Sequence, residues 1–283
     1  MFWFFRGHCL DTRLVNEKLS PRELDQIADL AYKTCGIDLK HGKQELVQAR
    51  LGKKIREGNF SSFREYYQHV EADRTGEELI ALLDALTTNF TSFLRESVHF
   101  DFLRKTILPG LTGPIRIWSA ACSTGEEPYT IAFSLLEELG MAGAGRIHIL
   151  ASDISSRVLA AAERGAFEAE RFSSVPEDWH RKYLLRGADR WQGWFRVKPA
   201  VRRMISFRRL NLMEALHPPQ PFQVIFCRNV MIYFDKATQA QLVNRFAQCL
   251  EPGGYLMIGH SESLNGLKHP YDYVMPAVYR KPS

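Results

Sequence analysis

From Pro114 onwards, short apolar segments alternate with amphipathic ones, and this alternation constrains the fold more than any other feature of the chain. The apolar segments have the length and composition of buried strands, and the segments between them carry apolar residues at helical spacing. We predict strands at 115–120, 147–152, 222–227 and 255–259, and helices at 128–139, 155–164 and 236–249. Such alternation is typical of an α/β domain with a doubly wound, mostly parallel sheet.

The residues before Thr87 follow a different pattern, because their apolar residues recur at helical spacing throughout. Ser20-Pro21-Arg22-Glu23 has the form of a capping box with proline at the first helical position. Further helices are predicted from Lys43, Ser61 and Glu77. We therefore expect an N-terminal extension at 1–19, an all-helical domain at 20–86, a linker at 87–113 and the sheet domain at 114–283.

Residues 167–207 fit the strand–helix alternation poorly. We predict that they form a small antiparallel β subdomain inserted into the sheet domain. It would contain a short helix at 178–184, followed by a hairpin that pairs 194–197 with 203–207 across Pro199.

Composition and cysteine usage limit the class of protein. No apolar run approaches the roughly 18–20 residues that cross a bilayer. The five cysteines are scattered without a Cys-x-x-Cys pair, which argues against a disulfide framework and against a zinc site. The nine histidines also lack metal-ligand spacing. We expect a reduced, cytoplasmic protein with no metal and no direct membrane insertion; the role of its aromatic N-terminal extension is left open.

Polar residues follow four strands of the predicted sheet, at the carboxyl ends where such sheets bind ligands. The first of these loops, Ala121–Pro128, has one glycine and two carboxylates. A dinucleotide site would need Gly-x-Gly-x-x-Gly and a bare helix N-terminus for the pyrophosphate, which carboxylates repel. The loop therefore favours a neutral or cationic nucleoside.

The other three strand ends complete this site. Asp153 stands where a carboxylate accepts the hydroxyls of a ribose, although capping the next helix is an alternative role. Asn211 and Leu212 would frame an adenine. Arg228-Asn229 follows an apolar strand, and a buried guanidinium requires a partner such as a carboxylate.

The order of these motifs resembles that of class I S-adenosylmethionine-dependent methyltransferases. Three segments, Thr87–Glu96, Trp118–Tyr129 and Cys227–Phe234, resemble one family of this class, the chemotaxis receptor methyltransferase CheR. The resemblance implies methylation of glutamate side chains on the cytoplasmic helical domain of methyl-accepting chemotaxis receptors, with S-adenosylhomocysteine as the second product. The chain departs from the family at Leu94, where a second Phe is usual.

The resemblance also implies which residues form the site. The cofactor-binding residues would be Asn89, Thr91, Arg95, Glu127, Asp153, Asn211, Leu212, Arg228 and Asn229. We predict that Arg95 and Tyr233 are catalytic, with Arg95 orienting the substrate carboxylate and Tyr233 donating a hydrogen bond to it. The alternatives are helix capping for Asn89 and Thr91, and a surface ion pair for Arg95.

Residues 40–56 contain six basic residues and one acid. At about 100° per residue, four of the basic residues share one arc of a helix. They are Lys43, Arg50, Lys53 and Lys54. Since the substrate implied by the resemblance is a glutamate-rich helical bundle, we predict that this basic arc binds the receptor, with a solvated face as the alternative. No aromatic residues are interleaved to form a platform for nucleic acid.

Two other functions remain as alternatives: a nucleic-acid or small-molecule methyltransferase of the same class, and a non-catalytic adaptor that binds S-adenosylmethionine. The loop Arg228–Tyr233 differs from the Asn-Pro-Pro-Tyr-like loop of base-amino methylases. Intact Arg95 and Tyr233 argue against an adaptor.

In some members of the family, the β subdomain docks a peptide from the C-terminus of the receptor. The arginines Arg196, Arg202 and Arg203 would face an acidic peptide. The loop Gly187–Gly193, however, lacks the Gly-x-Gly spacing of those members. We therefore predict that this contact is weak or absent.

Overall fold

The structure is a computed structural model that describes residues 18–39, 43–87, 90–215 and 218–283. The chain divides into two compact units. The first contains the described residues up to Asp29 and from Leu39 to Leu86, and the second contains Leu30–Asp38 and Thr87–Ser283. No helix in the described ranges is long and apolar enough to cross a membrane.

The helices are α1 (Pro21–Cys35), α2 (Gln44–Glu57), α3 (Phe63–Ala72), α4 (Glu77–Leu86), α5 (Val98–Phe102), α6 (Glu126–Leu139), α7 (Ser156–Arg164), α8 (Glu177–Tyr183), α9 (Pro199–Arg202) and α10 (Lys236–Cys249). The strands are β1 (Ile115–Ala120), β2 (Ile147–Asp153), β3 (Ala166–Glu168), β4 (Leu184–Arg186), β5 (Trp194–Val197), β6 (Ile205–Arg209), β7 (Phe222–Cys227), β8 (Leu250–Ile258), β9 (Asp272–Met275) and β10 (Val278–Arg280).

The first unit is helical, as predicted from its periodicity. The capping box is confirmed, since the Ser20 N–H donates to Glu23 Oε2 at 2.9 Å and the Glu23 N–H donates to Ser20 Oγ at 3.3 Å. Three residues of α2 at helical spacing, Val47, Leu51 and Ile55, are fully buried. Their burial holds α2 with one apolar face inwards and its basic residues on the remaining surface.

The second unit is built on a seven-stranded sheet in the order β6-β2-β1-β7-β8-β10-β9. The five strands from β6 to β8 are parallel, and β10 runs antiparallel to both β8 and β9. The strand order reverses at β1, because the chain continues outwards through β2 and β6 and then returns to β7 on the other side of β1. Such a switch point leaves a crevice beyond the carboxyl ends of β1 and β7.

The two faces of this sheet carry separate cores, because successive side chains of a strand point to opposite faces. Ile115 and Ile117 of β1 pack in a cluster that includes residues of α6. Trp118 and Ala120 pack in a second cluster with residues of α10. The prediction of a doubly wound α/β sheet is confirmed, and α6 begins at Glu126 rather than at Pro128 as predicted. A proline is tolerated in the first turn because the N–H groups there have no intrahelical acceptor.

The inserted subdomain contains a three-stranded antiparallel sheet in the order β3-β5-β4. The predicted hairpin is wrong, because Ile205–Arg209 forms β6 of the main sheet and pairs with Ile149–Asp153 of β2. The parallel ladder along β2 buries Ile205 against the core, which an isolated two-stranded hairpin could not achieve. β5 pairs instead with β3 on one side and with β4 on the other, so it offers no free edge.

Three arginines were predicted to face a peptide from the receptor. Two of them, Arg196 and Arg202, instead donate hydrogen bonds to backbone carbonyls of this protein. Arg196 Nε donates to the carbonyl of Arg164 at 3.2 Å, and Arg202 Nη2 donates to the carbonyl of Glu163 at 2.7 Å. Both carbonyls belong to the last turn of α7, where cations are favoured by the helix dipole. The weak or absent peptide contact stays a prediction, and these bonds are consistent with it.

Candidate active site

The loop between β1 and α6 is wound tightly by left-handed backbone. Ala121, Ser123 and Gly125 have φ values of 62°, 49° and 101°. A Cβ added to Gly125 would lie 2.8 Å from Cβ of Ala162 in α7, so only glycine fits at this position. The loop is therefore held closely against α7 at Gly125.

Asp153 ends β2 beside this loop. Its Oδ2 accepts the Ser123 N–H at 2.9 Å, and its Oδ1 accepts the Ser155 N–H at 3.0 Å. The cap of α7 is Ser155, whose Oγ accepts the Val158 N–H, so the alternative role predicted for Asp153 falls to Ser155. Asp153 is half-buried and stands at the carboxyl end of β2, where sheets of this kind place a carboxylate beside a bound ligand.

Arg228 stands at the centre of the site, with 2% of its side chain exposed. Its Nη1 lies 3.1 Å from Glu127 Oε2 and its Nη2 lies 3.1 Å from Glu96 Oε2. The guanidinium carbon also lies 5.3 Å from the centre of the Phe100 ring, at cation–π distance. The sequence-based expectation of a carboxylate partner for Arg228 is confirmed, and there are two such partners.

The two carboxylates that hold Arg228 differ in their pKa. Burial raises the pKa of Glu127, and the attraction of Arg228 and the Ser119 hydroxyl only partly offset this effect. Burial also acts to raise the pKa of Glu96, but the Arg228 guanidinium and the His260 N–H lower it by more, so the net pKa falls. Of the two carboxylates, Glu96 is therefore the one that remains ionised beside Arg228 to the lower pH.

The segment before α5 places the backbone of Arg95 beside Arg228 and the backbone of Thr91 beside Arg171 of the inserted subdomain. Arg228 Nη2 donates to the carbonyl of Arg95, and Arg95 Nη1 donates to the carbonyl of Phe90 at 2.8 Å. The Thr91 carbonyl accepts from Arg171 Nη2 at 3.5 Å. Asn89, the other cofactor-binding residue predicted in this segment, lies outside the described residues.

The loop after β7 carries Asn229 and Tyr233, and Glu262 fixes its backbone. Oε2 of Glu262 accepts the N–H groups of Asn229 at 2.9 Å and of Gly259 at 2.6 Å, and Oε1 accepts that of Ile232 at 3.3 Å. Asn229 has a left-handed φ of 59°, and its Nδ2 lies 3.4 Å from Glu96 Oε1. Glu262 thus holds the loop that carries Tyr233.

Sequence reasoning missed the partly buried Glu262 and the fully buried Glu126. The side chain of Glu126 is fully buried and forms an ion pair with Arg171. Glu262 follows β8 at its carboxyl end, and the criterion of polar residues after parallel strands would have found it. No pattern in the sequence joins Glu126 to Arg171, because the two residues meet only through the inserted subdomain.

Both ends of the Asn211 side-chain amide form hydrogen bonds to backbone groups of the protein. Its Nδ2 donates to the carbonyl of Thr34 near the end of α1 at 2.6 Å, and its Oδ1 accepts the Met213 N–H at 3.0 Å. Leu212 is 8% exposed and packs in the core cluster that contains Trp118. Both residues follow β6, whose end is held to Asp153 by the bond from the Leu210 N–H to the Asp153 carbonyl. Their role beside an adenine stays a prediction.

Glu96, His99 and His260 offer ligand atoms within 4.8 Å of one another. Glu96 is already bound to the Arg228 guanidinium, and this fixed positive charge disfavours a second cation beside it. Burial lowers the pKa of His99 to about 3, and the charge of Arg228 contributes to this lowering. The expectation of a protein without a metal stays a prediction.

In the first unit, all four residues of the predicted basic arc are at least partly exposed. Arg50 also donates to the carbonyl of Leu86 at the end of α4, and Lys53 lies 3.8 Å from Glu57 in an exposed ion pair. Arg50 therefore stabilises its own domain, whereas the side chain of Lys53 is exposed to solvent. Receptor binding by Lys43, Arg50, Lys53 and Lys54 stays a prediction.

Comparison with known proteins identifies the family. Residues 22–87 match the family described as "CheR methyltransferase, all-alpha domain", and residues 89–279 match "CheR methyltransferase, SAM binding domain". A chemotaxis protein methyltransferase of Borreliella burgdorferi is 41% identical over 277 residues, covering 94% of this chain and 96% of that protein. Another, from Salmonella typhimurium, is 38% identical over 262 residues, covering 92% of this chain and 90% of that protein.

One solved structure also resembles part of the chain. A glycopeptide N-methyltransferase complexed with sinefungin gives a TM-score of 0.36 at 18% identity, covering 60% of this chain and 50% of that chain. Membership of the family therefore rests on the sequence matches, which extend over both units. The chain belongs to the CheR methyltransferase family.

Proposed function

We propose that this protein transfers the methyl group of S-adenosylmethionine to glutamate side chains of a bacterial chemotaxis receptor, forming glutamate methyl esters. The observation that carries the proposal is the clamp on Arg228, which joins the segment of Arg95 to the loop of Asn229 and Tyr233 at the switch point of the sheet. The names of the relatives support the chemotaxis receptor as the substrate.

The donors and acceptors at the strand ends fit S-adenosylmethionine. The Asp153 carboxylate suits the ribose hydroxyls, and the Gly125 loop lets the backbone approach a ligand closely. The carboxylate of Asp153 gives this part of the crevice a negative character that suits a sulfonium and would repel a pyrophosphate. We assign cofactor binding to Asn89, Thr91, Arg95, Glu127, Asp153, Asn211, Leu212, Arg228 and Asn229.

When bound, the cofactor supplies an electrophilic methyl group on a positively charged sulfur. A glutamate side chain in water has a pKa of about 4.3, so its carboxylate is ionised at neutral pH and needs no general base. The residues assigned above would hold the cofactor, which would supply its methyl group to one oxygen of the substrate carboxylate, and the electron pair of the broken carbon–sulfur bond would stay with sulfur. Opposite charges are neutralised in this step, so the protein accelerates it by aligning the carboxylate and excluding water.

Arg95 and Tyr233 are the residues that we assign to the substrate carboxylate. A guanidinium has five N–H donors, and the bond from Arg95 Nη1 to Phe90 leaves others for a ligand. The hydroxyl of Tyr233, on the loop held by Glu262, would donate a hydrogen bond that keeps one oxygen in line with the methyl group. A very strong ion pair would weaken the nucleophile, so Arg95 orients the substrate more than it binds it.

The basic face of α2 is proposed to dock the glutamate-rich helical bundle of the receptor. Lys43 is the N-cap residue of α2, and Arg50, Lys53 and Lys54 lie on the helix outside its buried stripe of Val47, Leu51 and Ile55. Docking on the cytoplasmic domain of a receptor requires a cytoplasmic enzyme. The peptide contact through the β subdomain contributes little to this docking.

The reaction is tested with tritiated S-adenosylmethionine, purified protein and receptor-containing membranes, with RNA and DNA as parallel substrates. We expect label on the receptor alone. Mild alkali should release it as volatile methanol, because base cleaves methyl esters and leaves N-methyl groups intact. Label that resists alkali would contradict ester formation, label on RNA or DNA would favour a nucleic-acid methyltransferase, and cofactor binding without transfer would favour an adaptor.

A further inference from the structure

A cavity of about 510 Å³ lies on the face of the main sheet over β6, β2 and β1. It exists because the crossover from β6 to β7 contains no helix in its described residues. In a doubly wound sheet, a helix in this crossover would cover that face. Here Ala215, Pro218, Pro219 and Gln220 of the crossover form one wall and leave space above the strands.

The strands supply a cationic floor to this cavity. Arg116 and His148 are register partners on β1 and β2, and Ser152 pairs with Arg208, so these side chains share one face. Arg203, which precedes β6, adds a third guanidinium. No acidic residue is among the described residues that line the cavity.

The exposed arginines of the cavity are available to a ligand. Arg203 and Arg208 are exposed, and neither has an ion pair or hydrogen bond through its side chain with another residue in the described ranges. Arg116 is held in place, since its Nε donates to the carbonyl of Pro221 at 2.9 Å and its Nη2 lies 3.9 Å from Glu251, outside the lining. The cavity thus combines one fixed and two unengaged guanidinium groups.

The remaining walls are apolar. Leu150, Leu210, Phe222 and the two prolines of the crossover face the same space. A ligand that fits must bring several negative charges to the arginines and a flat apolar body to these walls. The volume lies within the roughly 300–1,000 Å³ of small-molecule sites.

We propose that this cavity is a second ligand site, which binds a nucleoside polyphosphate. Guanidinium groups bind phosphate with two parallel hydrogen bonds, and the base would pack between the prolines and the side chains of the sheet. The site is separate from the cofactor site, because its lining shares no residue with the predicted cofactor-binding set. Arg116 and His148 are the second residues of their strands, whereas the cofactor residues follow the carboxyl ends.

The test is a calorimetric titration of the full chain with ATP in the presence of saturating S-adenosylhomocysteine, which prevents adenine from entering the cofactor site. We expect one ATP per chain, weaker binding by inorganic pyrophosphate and none by adenosine. The double variant Arg203→Ala/Arg208→Ala should weaken ATP binding by at least about tenfold, because charged hydrogen bonds are lost.

The matched control is Arg186→Ala/Arg190→Ala, which removes the same charge from exposed positions in and after β4 and should leave ATP affinity unchanged. Both double variants should bind S-adenosylhomocysteine as the wild type does, which shows that they fold. Absence of ATP binding, or equal weakening in both double variants, overturns the proposal. If pyrophosphate binds as tightly as ATP, the assignment of a nucleoside is overturned, because contacts between the base and the apolar walls would then add nothing to the affinity.

Discussion

Arg228 Nη2 lies 3.1 Å from Glu96 Oε2, and this ion pair links two segments that are far apart in the chain. Glu96 has a left-handed φ of 55°, so the turn that follows Arg95 is shaped to present this carboxylate to the strand end. A second carboxylate, Glu127, holds the other nitrogen of the same guanidinium. The site is thus organised around one buried cation that is not itself predicted to react.

Removal of Glu96 should destabilise the protein. Glu96→Ala leaves the buried Arg228 with one carboxylate instead of two, so we expect the free energy of unfolding to fall by about 3 kcal/mol. Glu57→Ala, which breaks the exposed pair with Lys53, should lower it by less than about 1 kcal/mol. Urea unfolding of both variants checks this, and equal losses would show that burial adds nothing to the Arg228 pair.

Loss of Arg95 should slow methylation far more than it weakens cofactor binding. We expect Arg95→Ala to lower kcat by about 100-fold, because the substrate carboxylate is no longer oriented. Tyr233→Phe removes a single hydrogen bond and should lower kcat by about tenfold or less. Receptor methylation at saturating cofactor measures both effects, and Arg95→Lys is the control that keeps the charge. Near-normal turnover of Arg95→Ala would exclude a catalytic role.

Asp153 should contribute to cofactor affinity. Asp153→Ala removes a charged acceptor and should weaken S-adenosylhomocysteine binding by about 1–3 kcal/mol. The control is Asp178→Ala, an exposed acid of α8 that pairs with Arg181.

Calorimetry should also show one-to-one binding of S-adenosylmethionine to the wild type and no binding of NAD. Tight NAD binding would contradict the inference that the loop between β1 and α6 does not accept a pyrophosphate.

His99 should make stability depend on pH. Its pKa is lowered from 6.5 to about 3 by burial, and it faces Arg228, Glu96 and His260. The folded protein favours the neutral form of His99, and this contribution to stability is fully present above about pH 6.5, the pKa of the histidine in the unfolded chain. The contribution is lost as pH falls from about 6.5 towards 3, the pKa in the folded protein. Between pH 7 and 5 we expect a loss of about 2 kcal/mol through this residue.

The variant His99→Phe keeps a ring at this position but does not titrate, so it should lose less stability than the wild type on acidification. His148→Gln, at an exposed histidine, serves as the control. Urea unfolding at pH 7 and pH 5 gives the comparison. Identical pH dependence in the wild type and His99→Phe would show that His99 is protonated without strain in the folded protein.

Charge reversal on α2 should reduce receptor methylation. We choose Lys53→Glu with Lys54→Glu, because Arg50 stabilises the end of α4 and its loss would disturb the helical domain itself. The variant should raise KM for the receptor and reduce the sensitivity of the rate to salt, since exposed ionic contacts are screened. Cofactor affinity should not change. Unchanged receptor kinetics would return this face of α2 to an ordinary solvated surface.

Much of the fold could be predicted from the sequence because it depends on local periodicity. The helix of Lys236–Cys249 and the strand of Phe222–Cys227 have the predicted bounds, since their apolar residues and flanking residues all indicate one structure. The capping box at Ser20 is equally local. Residues after parallel strands were also identifiable, because the carboxyl ends of these strands must meet at one edge.

The pairing of distant segments was decided only by the tertiary structure. Ile205–Arg209 has a pattern compatible with a hairpin, and its place beside β2 depends on which partner buries Ile205 better. Glu262, Glu126 and Glu96 take their roles from groups that are remote in the chain. Sequence patterns report which residues share a face of one element. Which buried charge meets which partner depends on how the elements pack, since desolvation and ion pairing act across distances that local periodicity does not record.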